Sequence, residues 1–247
     1  MRAHEIEYIL HGDDMQFVEI ILDPDESCIA EAGAMMMMDQ GIKMETLFGD
    51  GGKKGGLLGV LGGAAKRVIT GESLFITSFT NVGRGKQQVS FASPYPGKII
   101  PIDLSQYNGK IVCQKDAFLC AAKGVSIGID FTKKIGAGFF GGEGFILQKL
   151  EGDGLAFVHA GGTIVRKSLS PGETLRVDTG CLVAMTRDIK YDIEFVGGIR
   201  NTLFGGEGLF LATLSGTGDV WVQSLPFSRL ASKVFALAPP NININTN

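Results

Sequence analysis

Three glutamates recur in one sequence setting. Residues 140–154 read FGGEGFILQKLEGDG and residues 204–218 read FGGEGLFLATLSGTG, a gapless match at an offset of 64. A weaker copy, GESLFITSFTNVGRG, occupies residues 71–85. Glu72, Glu143 and Glu207 are therefore equivalent, and each follows a glycine. Three carboxylates lining a symmetric ring would have the chemistry to bind cations. A carboxylate at a glycine-rich corner can instead accept several backbone N–H groups and brace it. Tandem repetition preserves folding devices more readily than chemistry, so bracing is the expected role. Basic residues recur upstream of these glutamates: Lys66 and Arg67, Lys133 and Lys134, and Arg200, with Lys53 and Lys54 in the first copy. Gathered on one rim of an assembly, they would form a docking surface for an anionic membrane or a protein partner, at about 1 kcal/mol per cation toward anionic lipid. Single solvated ion pairs are worth little.

Other reactive residues point to no enzyme, and the sequence predicts no cofactor and no metal. The histidines are His4, His11 and His159, with no H-x-H among them. A metal site of the two-histidine-plus-carboxylate kind lacks its donors. His159 is expected near a strand end, neutral and hydrogen-bonded. Gly136-Ala137-Gly138-Phe139-Phe140-Gly141 matches G-x-G-x-x-G, but a helix must follow that motif to bind a dinucleotide, and here a glycine-rich strand segment follows. Gly51-Gly52-Lys53-Lys54-Gly55 lacks the G-K-[ST] ending of a phosphate loop. No G-x-S-x-G motif or Cys–His pairing suggests a nucleophile. The four consecutive methionines Met35–Met38 resemble soft copper(I) ligands, yet the aligned residues Phe118-Leu119-Cys120-Ala121 and Leu182-Val183-Ala184-Met185 are simply apolar, so a buried strand is expected. Cys28, Cys113, Cys120 and Cys181 form no C-x-x-C pair and read as reduced, buried thiols of a cytoplasmic protein.

The elements that would position these residues are strands. Short β-branched and aromatic runs such as Phe17–Leu22, Ile99–Ile102 and Thr163–Val165 are separated by Gly, Pro and Asp signals. A G-x-G follows each repeated glutamate (Gly83–Gly85, Gly152–Gly154, Gly216–Gly218) and is expected to turn a tight hairpin. Upstream, Leu22-Asp23-Pro24-Asp25-Glu26 resembles Leu169-Ser170-Pro171-Gly172-Glu173; Leu104–Gly109 holds the middle place but lacks the Pro and Glu. The chain thus reads as one all-β domain over 1–237, built of three units at about 15–95, 98–162 and 163–226. The first unit carries a glycine-rich insertion at 49–63. Apolar residues Phe227, Leu230, Ala231, Val234, Phe235 and Ala238 recur at helical spacing, which predicts a short helix at about 226–237. The Asn-rich residues 238–247 are expected to be a disordered tail.

Composition bounds the function. Glycine supplies 36 of 247 residues, about twice the usual share, while Pro is only 8. A hydrophobic content of 45% fits a sizeable core, and a net charge of −3 argues against a nucleic-acid partner. Glu5 and Glu7 interrupt any apolar leader, and neither a signal peptide nor a transit peptide is visible. The uncharged stretch 55–65 is too short to span a bilayer.

The ordered combination of Gly55-Gly56-Leu57-Leu58, Gly71-Glu72-Ser73-Leu74-Phe75, Phe140-Gly141-Gly142-Glu143-Gly144 and Ser224-Leu225-Pro226-Phe227-Ser228-Arg229-Leu230 resembles the mitochondrial biogenesis family named for altered inheritance of mitochondria, over about 1–237. The resemblance implies a triplicated, shortened double-stranded β-helix, with a fold similar to the tryptophan-sensing RNA-binding attenuation proteins. It also implies a homotrimer forming a ring of nine units. The family supplies no catalytic residues to carry over. Its eukaryotic members are associated with the mitochondrial inner membrane, a role that does not carry over to a chain without a transit peptide. Residues and resemblance together predict a non-enzymatic assembly or scaffold protein, with a small-ligand or RNA sensor as the alternative suggested by fold. Trp221 is the only tryptophan, so the interleaved aromatic and basic residues of an RNA surface are missing.

Overall fold

Six strands make the pattern on which this chain is built. The computed structural model describes residues 2–31, 33–48, 75–133, 145–195 and 210–237. After a leading strand β1 (Glu7–His11) come β2 (Phe17–Leu22), β3 (Ser27–Glu31), β4 (Met35–Met38), β5 (Ile42–Phe48), β6 (Phe75–Asn81) and β7 (Gln87–Ala92). The next six are β8 (Gly97–Asp103), β9 (Lys110–Gln114), β10 (Phe118–Ala122), β11 (Ser126–Lys133), β12 (Phe145–Glu151) and β13 (Leu155–Gly161). The last six are β14 (Ile164–Leu169), β15 (Thr174–Asp178), β16 (Leu182–Thr186), β17 (Ile189–Phe195), β18 (Phe210–Gly216) and β19 (Gly218–Gln223). The protein is all-β, with one short helix at its C-terminal end.

The same pairing recurs in each group of six. The sixth strand lies between the first and the third, as in β2-β7-β4, β8-β13-β10 and β14-β19-β16. The fifth lies between the second and the fourth, as in β3-β6-β5, β9-β12-β11 and β15-β18-β17. Groups are joined by pairing the second strand of one with the third strand of the next, β3 with β10 and β9 with β16, all antiparallel. Each junction fuses half of one group to half of the next, giving two six-stranded sheets flanked by a four-stranded and a three-stranded sheet. Alternating strands supply the core. In β2, Val18, Ile20 and Leu22 point inward and are fully buried. Three apolar clusters result, and each draws residues from neighbouring groups: Leu119 and Phe157 join the first group's core, Ile29 and Trp221 the middle one's, and Phe145 and Leu147 the last one's.

The turns repeat as well. Between the first and second strands of a group, Asp25, Asn108 and Gly172 hold the same place with φ of 68°, 53° and 87°. This is the left-handed region, which Gly, Asn and Asp tolerate best. In the first and last groups a glutamate closes the turn: the Asp23 N–H donates to Glu26 Oε2 at 2.9 Å, and the Ser170 N–H to Glu173 Oε2 at 2.8 Å. The middle group lacks that glutamate and uses Asp103, which accepts from the Ser105 N–H and hydroxyl.

Two expectations are corrected. The G-x-G segments do not turn hairpins. They join the fifth strand to the sixth, which lie in different sheets in every group. The glycines serve a corner instead: Gly152, Gly216 and Gly218 have φ of 150°, 117° and 150°, and a Cβ on Gly218 would strike the Thr186 hydroxyl. The second correction concerns Met35–Met38, which form β4 but are exposed along its whole length, at 36–47%. The equivalent strand β10 is buried throughout because β3 covers its outer edge, and β16 is covered likewise by β9. No described strand pairs with the outer edge of β4. The helix α1 spans Phe227–Phe235 with Pro226 as its N-cap residue, and Phe227, Val234 and Phe235 on it are exposed. The tail beyond residue 237 and the insertion at 49–63 lie outside the described residues.

Candidate functional site

Among the described residues, two of the strands that end a sheet are of a kind that is paired on both sides elsewhere in the chain. β4 ends the four-stranded sheet and β15 ends the three-stranded sheet. They are the third strand of the first group and the second strand of the last, the two strand types that pair at both internal junctions. The internal registers fix how they match. At the first junction Ala30 lies opposite Cys120 and Ile29 opposite Ala121. At the second, Cys113 lies opposite Ala184 and Val112 opposite Met185. Pairing within each group places Met37 with Cys120 and Ala184, each just past a bulge. It likewise places Val177 with Ala30 and Cys113. A third junction of the same kind would set Met37 opposite Val177 and Met38 opposite Arg176. Sequence alignment found the equivalence of Met35–Met38 with buried strands, but not that no described strand pairs with the outer edge of β4. The signal was available in the strand count, since a repeat array always ends in unsatisfied faces.

The junctions differ in polarity where the second strand ends. Glu31, Gln114 and Asp178 are equivalent in the strand registers. Burial pushes the Glu31 carboxyl up to about 7, with the Asp116 charge adding to the rise and Lys115 opposing it. At the second junction a neutral glutamine removes that conflict. At the free edge, Asp178 accepts from the Gly180 N–H at 2.8 Å and from Arg229 of α1 at 3.3 Å.

The residues singled out from the sequence for possible site chemistry fall together in one respect. Glu72, Glu143 and Glu207 lie in the connections from the fourth to the fifth strand, at 49–74, 134–144 and 196–209, all outside the described residues. So do Lys53, Lys54, Lys66, Arg67, Lys134 and Arg200, while Lys133 is the last residue of β11. The three histidines are dispersed. His4 Nδ1 accepts from the Ser27 N–H at 2.9 Å, and His11 stacks on Phe17 at 4.5 Å. His159 is buried in β13, but neither ring nitrogen has a hydrogen-bond partner, contrary to expectation. Burial pushes it down to about 4, and the backbone of Tyr95 opposes that shift. Among the described residues no three of His, Cys, Asp and Glu converge as metal ligands, and no helix is long and apolar enough to cross a membrane. All four cysteines are free. Cys28, Cys113 and Cys120 are buried, whereas Cys181 is only partly so.

Comparison with known proteins agrees with this architecture. The chain is 30% identical over 233 residues to an uncharacterized protein of Streptococcus pyogenes serotype M6, covering 93% of this chain and 90% of that one. In structure it is similar to a Streptococcus pyogenes protein solved by X-ray crystallography in a structural genomics programme, with a TM-score of 0.73 at 23% identity, covering 95% of this chain and all of the other. That likeness speaks to the fold. The family described as mitochondrial biogenesis AIM24 matches residues 8–225, most of the chain. The protein belongs to the mitochondrial biogenesis AIM24 family.

Proposed function

We propose that this protein is a non-enzymatic assembly module whose working form is a homotrimeric ring, closed head to tail through β15 of each chain and β4 of the next. The observation that carries this reading is the pair of leftover edges: they are the two halves of a junction the chain already makes twice. A head-to-tail interface between identical chains either closes into a ring or grows without limit. Closure removes both edges, which otherwise invite uncontrolled pairing. It also covers the methionine row, and fully burying a methionine side chain stabilises by about 1.5–3 kcal/mol. The expected count of three chains follows the family resemblance. In such a ring Lys133 at the end of β11, together with Lys53, Lys54, Lys66, Arg67, Lys134 and Arg200 of the fourth-to-fifth connections, would recur in every chain, a docking surface for an anionic membrane.

Light scattering on the purified chain tests the assembly. The expected mass is about three times the 26.3 kDa of one chain. Met37→Asp places a carboxylate opposite Val177 and is expected to reduce the mass to that of a single folded chain. A wild-type protein that stays at one chain's mass at micromolar concentration removes the reading. Flotation with vesicles containing anionic lipid at low salt tests the docking surface, which requires binding that high salt abolishes.

A further inference from the structure

Beneath α1, between the second and third groups, lies a cleft of about 500 Å³. We propose that it is a binding site for a small aromatic molecule carrying an uncharged or cationic amide-like head. Its size falls within the range of ligand pockets. Its floor holds His159, which is 2% exposed and has both ring nitrogens unpartnered. A buried polar group without a partner costs free energy, and native structures keep few of them. The repeat shows that the fold does not need this one. The equivalent residue in the third group is Gln223, whose amide is fully engaged, accepting from the Gly161 N–H at 2.7 Å and donating to the Gly180 carbonyl at 2.8 Å. In the first group the equivalent is Ala92, which has no polar side chain to satisfy. Only in the middle group does the position present an idle hydrogen-bonding side chain, and there it lines a cleft.

The surrounding residues select the ligand. Tyr95 meets the His159 ring edge-on at 4.3 Å and contacts Phe227 of α1 at 5.2 Å. Ala117, Pro226 and Ala231 add apolar wall. Among the described residues that line the cleft there is no lysine or arginine, whereas Asp116 is one of them. An anion entering here would lose its hydration without a counter-charge. A neutral imidazole offers an amide-like head either an N–H donor for its carbonyl or a bare nitrogen acceptor for its N–H. His159 is held neutral by its burial, with a pKa of about 4.

Three isosteric probes separate the charges: benzamide, benzamidine and benzoate. Histidine-labelled full-length protein is followed by NMR, in whatever oligomeric state it adopts. Benzamide and benzamidine are expected to shift the His159 Cε1–H resonance while leaving those of His4 and His11 in place, and benzoate to bind at least about tenfold more weakly. His159→Phe should weaken benzamide by about tenfold. Ala231→Trp fills the cleft from the helix surface without touching the core, and should abolish binding even if His159→Phe fails to fold. Absence of any shift with benzamide and benzamidine, equal binding of benzoate, or undiminished binding by Ala231→Trp overturns the proposal. The site lies within one chain, so a protein that proves monomeric yet binds benzamide keeps this inference and loses the ring.

Discussion

Glu31 carries a cost that its repeat partners avoid. Its carboxyl titrates at about 7 in the folded chain against an ordinary 4.5, first because it is buried and next because of the Asp116 charge. Between those values the folded chain holds a proton the unfolded chain has lost. Stability therefore falls as pH rises from about 4.5 to about 7 and stays at the lower level above. Glu31→Gln installs the residue found at the equivalent Gln114. It should raise the urea midpoint at pH 8 and leave it nearly unchanged at pH 4. His159 acts with the opposite sign. Its pKa drops from 6.5 to about 4, so the unfolded chain binds the extra proton and stability falls as pH drops through that window. His159→Gln, matching Gln223, should flatten that acid limb, and unfolding curves taken between pH 4 and 7 would reveal it. Thiol reactivity divides along the same lines of burial. Desolvation pushes Cys113 up to about 12 and raises Cys28 and Cys120 well above the ordinary thiol value too. Cys181 is raised mainly by burial, an effect that Arg229 opposes, and it is the partly exposed thiol. A maleimide should label Cys181 in the native protein before the other three, as peptide mapping would show.

Turns and strands show why some features could be read from the sequence and others could not. The L-x-P-x-E element was legible because its chemistry is local: a left-handed residue and a glutamate closing its own turn need only neighbours in sequence. Gly172 illustrates the point. It has a φ of 87° with open space around its Cα, so substitution costs only backbone strain. Gly172→Ala should destabilise by about 1 kcal/mol and Gly172→Asn by less, following Asp25 and Asn108 in the same conformation. Denaturant titration distinguishes them. The helix was legible too, because a 3.6-residue period survives without its partner, although it runs only over Phe227–Phe235. The G-x-G was misread since glycine announces an unusual φ but not where the chain goes next, and here it goes to another sheet. The methionine strand was misread because apolar composition reports what a strand requires, not what the described strands supply. The cleft under α1 escaped sequence reading for a related reason. Nothing in the sequence around His159 says that its ring nitrogens lack partners.

At the scale of the whole molecule, three groups and two junctions leave one junction undone. The alternative to pairing between chains is that a single chain bends until β15 meets its own β4. In the single chain the two edges remain apart, each ending its own sheet. A covalent trap separates the two outcomes. Directly opposed residues in antiparallel strands have Cα atoms about 4.5–5.5 Å apart, within the range a disulfide can bridge. Met37→Cys combined with Val177→Cys, in a Cys181→Ser background that removes the accessible native thiol, places the new pair opposite each other in the register of the internal junctions. Mild oxidation should then give covalent dimers followed by a trimer band, with no larger species once the ring is closed. Shifting one partner by a residue, to Arg176→Cys, turns the side chain to the other face and should abolish cross-linking, since strand side chains alternate. A product that remains a single chain yet loses both free thiols would mean closure within one molecule. A ladder continuing past three would mean that the same edges build a filament. Only a ladder that stops at three is consistent with nine units around one axis.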